Sequence, residues 1–204
     1  MSESRTPASE LRNRLVRLYV GLVGFGVSLA LMVRARLGLG PWDVLHQGLA
    51  RRTGVEIGWI VIAVGGALLL AWLPLRQRPG IGTLSNVVVV GLAVNAALRM
   101  LPVPRVLPLR AAFLVSGIVA NGAATGLYIG AGLGPGPRDG LMTGLASRGL
   151  SIRAARTLLE LSVLVVGAAL GGSIGVGTLA YAASIGPLAH HFIPHFTVGE
   201  RSRA

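Results

Sequence analysis

The sequence predicts an all-α polytopic membrane protein. Six transmembrane helices form two inverted three-helix repeats, each with a short broken or amphipathic helix after its first span. Three observations predict this architecture. The chain of 204 residues is 52% hydrophobic and 13% charged, with a mean hydropathy of +0.69; a soluble domain carries about twice that charge fraction. Six apolar runs follow one another, each near the ~20 residues that cross a hydrocarbon core of about 30 Å. A short phrase of glycine, proline and aspartate is written twice, about half a chain apart.

Residues 1–17 are polar and basic, with Arg5, Arg12, Arg14 and Arg17. No small-residue cleavage site precedes Arg34 and Arg36, so the first apolar run, 18–33, reads as an uncleaved span rather than a signal peptide. Runs at 57–75 and 82–98 complete a first three-helix repeat over 18–101. Pro102, Pro104 and Pro108 make 102–110 a turn-forming connector. Runs at 111–131, 157–171 and 176–193 complete a second repeat over 111–195, ahead of a polar tail at 196–204. With three spans per copy, the second copy starts on the opposite side from the first, which inverts it.

The net charge of +12 comes from nineteen arginines and no lysine. They punctuate apolar runs rather than forming one stripe, and aromatic residues to stack on bases are few, so nucleic-acid binding is excluded. Twelve of the nineteen arginines fall in segments on the same side as the two termini. By the positive-inside rule both termini are then cytoplasmic. The chain has no cysteine, so disulfides and thiolate chemistry are excluded.

The repeat aligns Gly38-Leu39-Gly40-Pro41 with Gly132-Leu133-Gly134-Pro135 at an offset of 94, and Asp43 with Asp139 after a two-residue insertion. Further on, Gly80-Ile81-Gly82-Thr83-Leu84 matches Gly175-Val176-Gly177-Thr178-Leu179 at an offset of 95. Gly-x-Gly-Pro breaks a helix, and the aspartates stand where an N-cap belongs. Each new helix is read as about eight residues, roughly 12 Å, too short to span. In the first copy Val44, Leu45, Gly48 and Leu49 share its apolar side; His46, Gln47, Arg51 and Arg52 take the polar one. Such a helix either lies in the membrane interface with structural caps or re-enters the membrane and lines a cavity.

The candidate substrate-binding residues are Asp43, Asp139, Arg138, Arg156 and Glu160. Arg138 occurs only in the second copy. Glu160 lies within the fifth apolar run with Arg156 four residues earlier, and the pair reads either as a functional intramembrane charge or as a structural anchor. Asn86, Asn95 and Asn121 read as interhelical hydrogen bonders, and Gly122, Gly126 and Gly130 as a smooth packing face. His190, His191 and His195 suggest a metal, but Pro194 is expected to interrupt their helix and the nearest carboxylate, Glu200, is distant, so no metal is assigned. Ser85, Ser162 and Ser184 lack a His-Asp pairing. No catalytic residue, enzyme activity or cofactor is assigned.

Gly38-Leu39-Gly40-Pro41-Trp42-Asp43 with Gly48-Leu49, the Pro79-Gly80-Ile81-Gly82-Thr83 turn, the stretch from Gly132 to Gly140, and Arg156-Thr157-x-x-Glu160 resemble the YczE family of bacterial membrane proteins. That family is in turn similar to the YitT group. The resemblance runs from about residue 15 to 195 and implies an integral protein of the bacterial plasma membrane; it carries over no enzymatic activity. Two function classes stay open. One is a small-solute or ion transporter or channel with its path between the repeats. The other is a membrane-embedded regulatory or scaffold protein that binds a protein partner or a second copy of itself. The bilayer is a partner in both.

Overall fold

A computed structural model describes residues 7–197, in which the regular structure is helical throughout. The helices are α1 (Pro7–Ala35), α2 (Pro41–Thr53), α3 (Ile57–Leu75), α4 (Ile81–Met100), α5 (Leu107–Gly130), α6 (Pro137–Ala146), α7 (Ile152–Ala169) and α8 (Val176–Phe196). Helix α1 begins well before the apolar run expected at 18–33. Glu10 in its first turn and an Arg14–Glu10 pair at 2.6 Å, one turn apart, carry the helix through the basic segment. Likewise α5 takes in the end of the Pro-rich connector, with Pro108 tolerated in its first turn.

Four of these helices, α1, α3, α4 and α5, are long and apolar enough to cross a membrane. Helix α7 carries Arg153, Arg156 and Glu160, and α8 carries three histidines with Pro187 and Pro194, which lower their apolar character. Contrary to expectation, Pro194 does not interrupt α8, which runs on to Phe196. His195 Nδ1 lies 2.6 Å from the His191 carbonyl oxygen, and Glu200 lies outside the described residues.

The centre of the bundle is the antiparallel pair α1 and α5. A Cβ at Gly21 would meet the Tyr128 nitrogen at 2.8 Å, and one at Gly117 would meet Met32 Cγ at 2.7 Å. These contacts return one another, because Gly117 and Tyr128 each lie 96 residues after Gly21 and Met32. Core side chains gather on both flanks of the pair, with Leu22, Phe25, Val90 and Val94 on one and Met32, Leu39, Val44 and Ile118 on the other. Gly122, Gly126 and Gly130 face Leu188, Phe192 and Phe196, and so let α8 approach α5 closely.

The same reciprocity holds where the connectors meet the opposite copy. Gly177 N donates to Leu37 O at 2.7 Å, and Gly82 N donates to Leu133 O at 2.8 Å. Thr83 Oγ1 accepts from Gly80 N at 3.2 Å, as Thr178 Oγ1 does from Gly175 N at 3.2 Å. These pairs correct the register of the repeat. Left-handed backbone occurs at Arg36 (φ 54) and Gly132 (φ 67), then at Gly38 (φ 109) and Gly134 (φ 123), an offset of 96 throughout. Gly40-Pro41 therefore corresponds to Gly136-Pro137, and Gly134-Pro135 stands two residues earlier. The two-residue insertion vanishes, because a repeated Gly-x-Gly-Pro spelling had drawn the alignment out of step.

Arginines close many of the helix ends, where carbonyls lack partners. Arg110 donates to Ala35 O at 2.8 Å and to Arg36 O at 2.6 Å; Arg34 donates to Leu98 O. At other ends, Arg17 donates to Phe196 O at 2.7 Å and Arg148 to Pro74 O at 2.5 Å. Asn95 and Asn121 act as the interhelical bonders expected of them. Asn95 Oδ1 accepts from Gly58 N at 2.8 Å, and Asn121 Nδ2 donates to Ser28 Oγ at 2.9 Å.

Candidate functional site: a charged cavity between the connectors

Glycine, then proline, sets both connectors. Gly40 and Gly136 are the N-caps in extended conformation, and Pro41 and Pro137 occupy the first helical position, where a missing N–H costs nothing. The aspartates are thus not N-caps, as expected from sequence, but the third helical residue. Helices α2 and α6 have 13 and 10 residues, about 20 Å and 15 Å long. Both are longer than the eight residues expected and still too short to span.

Nor is α2 a surface helix with one wet face. His46, expected on its polar side, is buried along with Trp42, Asp43, Val44 and Gly48. The helix packs between α3 and α7, and its end is tied to the turn before α8: Gln47 Oε1 accepts from Ser173 N at 2.7 Å, and Arg51 donates to Ser173 Oγ at 3.0 Å. Helix α6 packs against α3 and α7, with Trp72 Nε1 donating to Pro137 O at 2.9 Å.

The two N-termini meet at one cavity of about 220 Å³. All five candidate residues, Asp43, Asp139, Arg138, Arg156 and Glu160, line it. Their environments differ. Asp139 accepts from Tyr128 OH at 3.0 Å and from Gly136 N at 3.2 Å, so it satisfies the helix's own N-cap donor. Asp43 is 3% exposed, and among the described residues no hydrogen bond closes on its carboxylate. His46 Nδ1 stands 3.5 Å from Asp43 Oδ1, too far for a good hydrogen bond, and has no other partner.

Arg138 lies between two rings, its guanidinium carbon 5.4 Å from the Phe25 centroid and 5.7 Å from that of Trp42. No carboxylate among the described residues comes close enough to pair with it. Arg156 and Glu160 pair with each other at 2.9 Å on the outer wall, with side chains 49% and 32% exposed.

Several lining residues escaped the sequence reading. Phe25, Trp42, Tyr128 and Tyr181 frame the charges, and Tyr181 OH donates to Asn121 Oδ1 at 3.2 Å. Asn86, expected to bond between helices, instead lines the cavity. In the corrected register Trp42 corresponds to Arg138, and Asn86 to Tyr181 at an offset of 95. The two-residue slip hides only the Trp42–Arg138 correspondence; Asn86 and Tyr181 are already in register at an offset of 95.

Comparison with known proteins gives the lineage. Residues 12–194 match the model of the family of unknown function DUF6198. An uncharacterized protein of Haemophilus influenzae is 42% identical over 169 residues, covering 82% of this chain and 78% of its own. The uncharacterized membrane protein YczE of Bacillus subtilis is 34% identical over 191 residues, covering 91% and 87%. A second Bacillus subtilis protein, the uncharacterized YyaS, is 28% identical over 182 residues, covering 86% and 90%. No solved structure matches. With its apolar helices, the chain is an integral membrane protein, and it belongs to the DUF6198 family of YczE-like proteins.

Proposed function

We propose that the chain is a small-solute transporter of the bacterial plasma membrane, with its solute site in the cavity between the two connectors. One observation carries this reading: the N-termini of two broken helices, each followed by an aspartate, line the same charged cavity. Broken helices that re-enter from either side to meet at a central site are a recurring design of inverted-repeat transporters.

The reading includes six spans, with α7 and α8 joining the four most apolar helices, and both termini in the cytoplasm. Leu158, Leu161, Val165 and Val166 on α7 are exposed, as a lipid-facing surface requires. The contacts at helix ends support two poles: Arg110 and Arg34 bind carbonyls at one, Arg17 and Arg148 at the other. Under this topology α2 enters from outside and α6 from the cytoplasm.

Because the chain has no cysteine, single cysteines test the topology. In intact cells an impermeant maleimide should label Thr53→Cys and spare Ser147→Cys until the membrane is opened. Labelling of both from one side would overturn the inverted repeat. Function is tested by uptake of radiolabelled small solutes into proteoliposomes holding the purified chain. A folded protein that moves none of a broad panel is instead a scaffold.

A further inference from the structure

We propose that the cavity binds a small zwitterion, a molecule carrying one ammonium and one carboxylate group a few bonds apart; this rests on reading the cavity as the solute site.

Of the five charged side chains in the wall, three are accounted for internally. Arg156 and Glu160 pair at 2.9 Å, and Asp139 accepts two hydrogen bonds, from Tyr128 OH and Gly136 N. Two remain. Asp43 is buried to 3% exposure without a hydrogen bond on its carboxylate, and Arg138 is held by ring faces, with no hydrogen bond or ion pair to its guanidinium among the described residues.

A lone carboxylate or guanidinium away from water is costly, and partners normally relieve it. Here Asp43 and Arg138 line one cavity and feel each other's charge, yet no close ion pair forms between them, and His46 Nδ1 stands 3.5 Å from the Asp43 carboxylate. The Phe25 and Trp42 rings hold the guanidinium by cation–π attraction, while none of its N–H groups is hydrogen-bonded among the described residues, so a guest can take them. The Trp42 indole N–H beside it is also buried without an acceptor. A guest that brings a carboxylate to Arg138 and an ammonium to Asp43 satisfies both residues at once. An anion alone would leave Asp43 unpaired and meet its repulsion; a cation alone would do the same with Arg138.

Size narrows the class. A volume of about 220 Å³ equals roughly seven waters at ~30 Å³ each, room for a guest of small amino-acid or betaine size. Ile129, Ile185 and Ile193 line it alongside Asn86, Asn121 and Thr125, so the part of the guest between or beside its charges meets a wall of mixed apolar and amide or hydroxyl character.

The test is ligand-induced thermal stabilisation and calorimetric titration of the purified full chain, with glycine, alanine and glycine betaine against propionate and ethylammonium, which each carry one charge. At least one zwitterion should bind, and bind more tightly than either single-charge probe by on the order of tenfold to a hundredfold, the worth of one charged hydrogen-bonded contact. Asp43→Asn should weaken that zwitterion by a similar factor while leaving propionate unchanged or tighter. Arg138→Gln should weaken the zwitterion by a similar factor while sparing ethylammonium, and Arg138→Lys should recover part of the loss.

Propionate binding as tightly as alanine would overturn the proposal in favour of a plain anion site. Failure of all three zwitterions to bind the folded wild-type chain would overturn it outright, even if other solutes are taken up. Binding without uptake in proteoliposomes would instead sink the transporter reading and leave the zwitterion site standing.

Discussion

Beside the polar cavity of about 220 Å³ lies a tighter one of about 30 Å³, set against α3 and α4 as the larger is set against α7 and α8. They share Phe25, Trp42, Asp43, Asn86, Pro137 and Arg138, and several of their remaining wall positions correspond. Arg156 and Glu160 in the large cavity stand where Val61 and Gly65 stand in the small one, and Thr125 and Met142 stand where Leu29 and His46 do. The repeat thus builds one pocket twice and furnishes it differently. The backbone frame depends on glycines, prolines and the Gly-x-Gly-Thr turns, which both copies keep. The chemistry depends on side chains that only need to fit the space, and those have diverged.

The sharpest break in that frame is at a position where the copies exchange large for small. Trp72 packs over Gly140, whereas at the equivalent contact Gly167 lies against the Val44–Leu45 backbone. A Cβ on Gly140 would fall within the Trp72 ring, with no room to yield beneath a buried indole whose N–H is bonded to Pro137 O. Gly140→Ala should lower the melting temperature of the purified chain by about 5–10 °C, from overpacking of 1–3 kcal/mol in a chain of this size. Adding Trp72→Ala should restore part of the loss. Gly66, which has open space around it, should show the opposite sign: Gly66→Ala gains up to about 1 kcal/mol of helix propensity. Equal losses at both positions would mean that the Trp72 contact is not what limits packing.

The next effect is on function. The sequence reading gave both aspartates equal weight; their surroundings separate them. Asn can still accept the bonds that Asp139 takes from Gly136 N and Tyr128 OH, and Asn replaces Asp near helix N-termini with little loss. Asp139→Asn should therefore keep its stability and most uptake in proteoliposomes. Asp43→Asn should keep membrane abundance while uptake falls by on the order of tenfold or more, because its carboxylate has no structural bond to preserve. If the two variants behave alike, the difference in their hydrogen bonding has no functional meaning.

Much of this was open to reading from residues alone. Composition fixes a helical membrane protein, and the helix starts at Pro41 and Pro137 follow from where Gly-Pro pairs fall. Gly122, Gly126 and Gly130 announced close packing that α8 fulfils. The two aspartates follow from the repeated connector, Arg138 from its presence in one copy only, and Glu160 with Arg156 from an ionisable residue inside an apolar run. What the residues alone could not supply was their convergence, because that depends on α2 and α6 crossing to the opposite copy. Helix bounds slipped wherever a local pair such as Glu10 and Arg14 extended a helix past its apolar run. The register slipped because identical spelling two residues apart outweighed equivalence of backbone, which shows only in the paired left-handed turns.

The smallest effect concerns the Arg156–Glu160 pair, read from sequence either as an anchor or as part of a site. The tight cavity supplies the control that an anchor reading needs. Its half of the molecule holds Val61 and Gly65 at the equivalent positions and keeps the same frame, so the frame does not require a charge pair there. The pair is also partly exposed, at 49% and 32%, and such pairs contribute about 0–1 kcal/mol. Arg156→Val with Glu160→Ala should therefore shift the melting temperature by no more than about 2–4 °C. Glu160→Ala alone should be worse than the double variant, since it leaves a guanidinium unpaired on an apolar wall. Uptake should fall in the double variant by a few-fold only, because the two charges cancel and neither replaces Asp43 or Arg138. A double variant that fails to accumulate in the membrane would make the pair an anchor after all, and would show that the two pockets differ in what holds them together as well as in what they hold.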